Sequence, residues 1–272
     1  MDNLEILNLK SQSHTQFLEA VKLKHANKFK ESIDLLSQAL STRSQAFQTS
    51  DNDKKFDEFY TEILVELGDS YLKCDDTQNA LKNFNEAITI LEKLYYPGHT
   101  KIANVLSHIV PIYLNSKDYT QAEPNLVRML EIYEKTMSGE HRHVLESYHD
   151  LANLYYETKQ IDNCKKIITK ATKQLDTPLG PIEEFQLLNS KIALDENNLD
   201  EAYKQINLAI NNFSQRDNHC KLALCYDLLA KILELQNKSK EANNAKEMAQ
   251  HYHNLAINIH TPDPFSSTLL RA

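Results

Sequence analysis

The chain has 272 residues, of which 41% are hydrophobic and 25% charged, with a formal net charge of −8 and only four glycines. An acidic balance excludes non-specific nucleic-acid binding, which depends on Lys and Arg neutralising phosphates. So few glycines also exclude glycine-built nucleotide loops and turn-rich sheets.

Four cysteines (Cys74, Cys164, Cys220, Cys225) form no C-x-x-C pair and no zinc spacing. No apolar run approaches the roughly 18 residues needed to span a bilayer. The start, Met1-Asp2-Asn3-Leu4-Glu5, lacks the basic flank of a signal peptide. These features, with reduced thiols, predict a cytoplasmic protein.

In chain order, residues 1–12 form an N-terminal cap or flexible segment, in which Leu4, Ile6, Leu7 and Leu9 could cover the first helical pair. Ala20, Leu23, Phe29, Leu36 and Ala39 mark that first pair, and the polar stretch Thr49 to Lys55 reads as a loop. Leu67, Gly68 and Tyr71, followed by Ala80, Phe84 and Ala87, mark the second. A constant step of 42 residues then carries Tyr71 to Tyr113 and Tyr155, Gly68 to Val110 and Ala152, and Ala80 to Ala122 and Cys164. His99 returns as His141 on the same step. A fixed step shared by many columns is the mark of a stacked repeat array.

Within the third pair, apolar spacing predicts helices from about Ile102 to Asn115 and from about Thr120 to Lys135, with Lys117-Asp118 as the turn. Pro111 falls inside the first of these, where it removes a hydrogen bond and should kink the helix. Pro178-Leu179-Gly180-Pro181 breaks the pattern before a fifth pair at Leu199, Ala202, Ile206 and Ala209. Leu229, Ala230, Leu233, Ala242 and Ala249 mark a sixth. The array therefore covers residues 13–260, and residues 261–272 are a C-terminal tail that reads as a frayed terminus, with a docking peptide or a lid on the groove as the alternative.

The motif Leu67-Gly68-x-x-Tyr71 with Ala80, Phe84 and Ala87 resembles the tetratricopeptide repeat. The longer step, together with Tyr119 to Lys135 and Leu151-Ala152-Asn153-Leu154-Tyr155, is similar to the kinesin light chain variety. The resemblance implies an all-α, right-handed superhelix (an α-solenoid) of about six helix-turn-helix repeats. It also implies a non-catalytic scaffold or adaptor that binds a partner peptide in a concave groove. A regulatory sensor, switched by a peptide or by its own tail, is the alternative.

By the register, the groove is lined by Phe17, Leu18 and Val21, then by Glu62, Val65, Glu66 and Asp69, then by Asn104, Ser107 and His108. Glu146, His149, Asp150, Asn153 and Tyr156 follow, with Leu187, Lys191, Asp227 and Lys231 beyond them. Its acidic middle predicts a basic or amphipathic protein or peptide partner, with Asn153 bonding the ligand backbone. The positions where another tetratricopeptide class clamps a carboxylate hold Phe17, Val21 and Glu66, of the wrong character or sign. Glu146-x-x-His149 has di-iron spacing but no second copy, and His141-x-His143 reads as capping or packing at a repeat boundary. No nucleophile-and-base motif appears, so neither cofactor nor metal is expected.

Overall fold

The computed structural model describes residues 3–47, 57–137, 141–173 and 182–258, and every regular element among them is an α-helix. The first six helices are α1 (Asn3–His25), α2 (Phe29–Gln45), α3 (Glu58–Leu72), α4 (Thr77–Leu94), α5 (Thr100–Asn115) and α6 (Tyr119–Thr136). The next six are α7 (Arg142–Glu157), α8 (Ile161–Lys173), α9 (Ile182–Asp195), α10 (Leu199–Ser214), α11 (His219–Leu235) and α12 (Ser239–Asn258). They form six pairs of the solenoid type, grouped in two compact units, Met1–Tyr133 and Glu134–Ala272.

The helices of the third pair lie within two residues of their predicted bounds, and α5 runs on through Pro111 to Asn115. It begins early because His99 caps it: the imidazole Nδ1 accepts the Lys101 N–H at 3.3 Å. His141 caps α7 in the same way through the His143 N–H. Elsewhere Asp57, Asp76, Asn198 and Asn218 cap α3, α4, α10 and α11. Each satisfies one of the donors that a helix start leaves without a partner.

The recurring tyrosine has a backbone role. The carbonyls of Tyr71, Tyr113 and Tyr155 accept the N–H groups of Asp76, Asp118 and Gln160, five residues on. Leu23, Ala193 and Leu233 do the same for Lys28, Asn198 and Lys238. This six-to-one bond is the Schellman closure, and it forces the residue before the acceptor's partner into the left-handed region. Asn27, Asp75, Asn197 and Asn237 occupy that point, but so do Lys117 (φ 57°) and Lys159 (φ 60°). Asn and Asp tolerate that backbone better than lysine does. Lys159→Gly and Lys117→Gly are each expected to raise stability by about 0.5–1 kcal/mol, as strain relief exceeds the added chain entropy. Chemical denaturation of each variant checks the sign.

Small residues let paired helices touch. Ala20 faces Ser32, Ala152 faces Cys164, and Ser190 faces Ala202; all six are fully buried. Wherever one partner carries a donor, it bonds the opposite backbone: Ser32 Oγ donates to Ala20 O (2.9 Å), Cys164 Sγ to Ala152 O (3.1 Å) and Ser190 Oγ to Ala202 O (2.8 Å). Gly68 is the extreme case, because a Cβ there would lie 2.4 Å from the Phe84 ring. In the first unit Ala20, Leu36, Ala39, Ile63 and Leu67 form a core, and Phe17 and Tyr71 pack against it. In the second, Ala202, Ile206, Phe213, Leu222 and Ile232 belong to another.

Residues 3–12 lie in α1, where Leu4 and Leu7 are exposed. The loop at Thr49 to Lys55, the breaker at Pro178 to Pro181 and the tail 261–272 lie outside the described residues.

Candidate functional site

The first unit contains an open cavity of about 370 Å³. Phe17 of α1, Val65 of α3, Leu91 of α4 and Val105 of α5 give it an apolar lining. Three glutamates of α3 enter it: Glu58, Glu62 and Glu66, one helical turn apart and therefore on one face. Lys101, Asn104 and His108 approach from α5. Helical periodicity thus sets two rows of polar side chains over a hydrophobic floor.

The ends of the glutamate row are braced internally. Glu58 pairs with Lys101 and accepts the Tyr95 hydroxyl hydrogen bond. Glu66 pairs with Lys24 of α1, whose ammonium also lies 3.7 Å from Asp69. Asp69 Oδ1 in turn lies 2.8 Å from His108 Nδ1, and the His108 ring stacks on Phe84. Glu62, in the middle, is exposed and has no ion-pair partner among the described residues.

Of the residues predicted for the groove in this unit, Phe17, Glu62, Val65, Glu66, Asn104 and His108 line the cavity, and Asp69 supports it. Leu18 and Ser107 are exposed and do not line it, and the Ser107 hydroxyl bonds to the Asn104 carbonyl of its own helix.

The second unit differs. His149 and Asp150, predicted on an open face, are 8% and 6% exposed and belong to a buried charge network. His149 Nδ1 lies 3.4 Å from Asp150 Oδ1, and Nε2 lies 3.6 Å from Glu184 Oε2. Lys221 of α11 reaches Glu184 at 3.0 Å, and the Asn153 amide lies 2.9 Å from His149 Nε2. Burial opposes protonation of His149, but the Asp150 and Glu184 carboxylates overcome it and raise its pKa to about 9. Burial would also raise Glu184, yet His149 and Lys221 hold it down at about 2. Two cations and two carboxylates therefore balance. Asn153 Nδ2 also donates to the His149 carbonyl of its own helix.

Other predicted residues of this unit are engaged locally. Glu146 pairs with Arg142, the Tyr156 hydroxyl donates to Asp195, and Asp227 pairs with His253. Leu187 is buried, Lys191 half-buried and Lys231 exposed. Burial pushes the Cys164 and Cys225 thiols up to about 11 and about 12, which keeps both protonated near neutrality. Among the described residues no group of three or more His, Cys, Asp or Glu could hold a metal ion, and no helix is long and apolar enough to cross a membrane.

The tetratricopeptide repeat family model matches residues 61–93 and 145–174. These spans coincide with the α3–α4 and α7–α8 pairs, where the capped turn and the small-residue contact are already evident. Both pairs are tetratricopeptide repeats. The chain is similar in fold to a tetratricopeptide repeat protein from Parabacteroides merdae (14% identity, TM-score 0.56, 95% of this chain and 98% of that one). It is also similar to the apo form of the quorum sensor NprR from B. thuringiensis (15% identity, TM-score 0.56, 89% and 65%). A secreted RxLR effector protein of Plasmopara halstedii is 19% identical over 205 residues, 74% of this chain and 63% of that protein. The chain spans less than two thirds of the length of the curated relatives it matches.

The tetratricopeptide register explains which site residues escaped sequence reasoning. A step of 38 residues carries Ala152 to Ser190 and Cys164 to Ala202, the facing small positions of two pairs. The same step carries Glu146 to Glu184, so Glu62, Asn104, Glu146 and Glu184 form one column. The column was available as a signal; the shortened step hid it. Lys24 and Lys101 were not legible, because cross-helix bracing has no sequence period.

Proposed function

We propose that this tetratricopeptide-repeat protein is a non-catalytic interaction scaffold, and that the cavity of its first unit receives a segment of a partner protein. The observation that carries this reading is the cavity itself: an apolar floor with convergent polar side chains, left open where α1, α3 and α5 present their faces. Repeat arrays work through such surfaces, with a few buried anchors supplying most of the binding energy. The negative excess of the lining supports a basic or amphipathic segment. Glu62, Glu66, Asn104 and His108 are the contacts proposed here, supported by Asp69. His149, Asp150 and Asn153 serve internal structure in the second unit.

A selection from displayed random dodecapeptides tests the reading, run in parallel on wild type and on Asn104→Trp. Asn104 is exposed at the cavity, so an indole there obstructs it without entering the core. Peptides enriched on wild type are expected to lose at least about tenfold in affinity on the variant, the loss of one anchor. Enriched peptides that bind both proteins equally, or a selection that enriches none, would overturn the cavity as the binding surface.

A further inference from the structure

The bracing pattern carries the proposed function a step further, on whose cavity reading it rests. Of the three α3 glutamates, the outer two are neutralised by lysines of this chain, from α5 and α1 respectively. The central one, Glu62, has no such partner among the described residues. The cavity lining holds three carboxylates and one ammonium, counted with His108 neutral. Adding Lys24 and Asp69 beside it leaves the excess at two negative charges. The apolar lining from Phe17, Val65, Leu91 and Val105 suits a methylene stem rather than a second charge. At about 370 Å³ the space sits near the lower end of small-ligand cavities, room for one or two side chains and not for a helix.

We infer that the cavity is a subsite for a single lysine or arginine side chain of the partner, whose stem packs on the apolar floor and whose cationic head pairs with Glu62. An anionic side chain is disfavoured, since Lys24 and Lys101 are already satisfied and Glu62 would repel it. Lys101 has a second role under this assignment. It competes with the incoming cation for the glutamate row, so it sets the affinity of the subsite rather than creating it.

The probes are N-acetyl-lysine methylamide and N-acetyl-arginine methylamide, with N-acetyl-norleucine and N-acetyl-glutamate methylamides as controls. They are titrated into the full chain carrying labelled Val and Leu methyl groups, at low ionic strength. Saturable shifts of the Val65, Leu91 and Val105 methyls are expected with the two cationic probes and not with the controls. Glu62→Gln, an isosteric change at an exposed site, is expected to weaken that binding at least roughly fivefold. Lys101→Met is expected to strengthen it about twofold to fivefold, as the exposed brace on Glu58 is released. A merely structural Lys101 would not produce tighter binding, and circular dichroism of both variants establishes that the helices are kept. Norleucine or glutamate probes that bind as well as lysine, or an unchanged affinity in Glu62→Gln, would overturn the inference. Cavity-dependent peptides without a basic residue would leave the scaffold reading standing and remove this one. Selected peptides indifferent to Asn104→Trp would remove both.

Discussion

His149→Ala is expected to cost the second unit about 3–5 kcal/mol, the range for removing one partner of a buried ion network. The loss exceeds that of the ring contacts because Glu184 stays behind, 3% exposed, with Lys221 as its remaining cation. Glu184→Gln is expected to be milder, since His149 can release the proton that Glu184 helps it hold and so restore the charge balance. The network also fixes a pH dependence. His149 is raised from 6.5 to about 9 on folding, so its contribution is complete below pH 6.5 and lost as pH rises through 9. Glu184 is lowered from 4.5 to about 2, so its contribution is complete above pH 4.5 and lost as pH falls through 2. Stability of this unit should therefore be greatest between those limits, around pH 4.5–6.5. Thermal melts across pH, on wild type and His149→Ala, check this: the variant's profile should be flatter on the alkaline side. Superimposable profiles would show that the network does not couple to folding.

Gly68→Ala is expected to be the most damaging single-methyl change in the first unit. Alanine in a helix is ordinarily favoured over glycine by about 1 kcal/mol. Here the added carbon would sit 2.4–2.8 Å from three atoms of the Phe84 ring, which is fully buried. Overpacking of this kind costs about 1–3 kcal/mol, enough to reverse the sign of the propensity gain. His108 stacks on the same ring, so a displaced Phe84 would also disturb the Asp69 brace beside the cavity. Phe84→Leu is expected to be destabilising alone yet to relieve Gly68→Ala when combined with it. A double-mutant cycle by urea denaturation measures that coupling. Additive losses would mean that the glycine is tolerated rather than required.

Much of the fold was legible because its determinants are local and periodic. The Tyr71, Tyr113 and Tyr155 column predicts helical pairs because each residue sits one closure away from a left-handed turn. Ala80 marks where two backbones approach, and other small residues meet that need at the same point, as Ser32 and Cys164 do; Gly68, held against the Phe84 ring, is the stricter case. The site was legible only in part. Register alone placed Glu62, Asn104 and His108 at the cavity, because a face of a helix follows from spacing. It could not say that His149 and Asp150 would be covered, since their burial depends on Glu184 and Lys221 from two later helices. Nor could it show that Lys24 and Lys101 neutralise two of the three glutamates, which is what leaves Glu62 distinctive.

Photo-crosslinking tests most directly whether the first unit's cavity holds a partner segment. A peptide selected on wild type is resynthesised with photo-leucine at each apolar position, irradiated with the full chain, and the adducts are located by mass spectrometry. Adducts on Phe17, Val65, Leu91 and Val105, suppressed by Asn104→Trp, are the predicted result. Adducts confined to residues 141–258, or unaffected by that substitution, would contradict it.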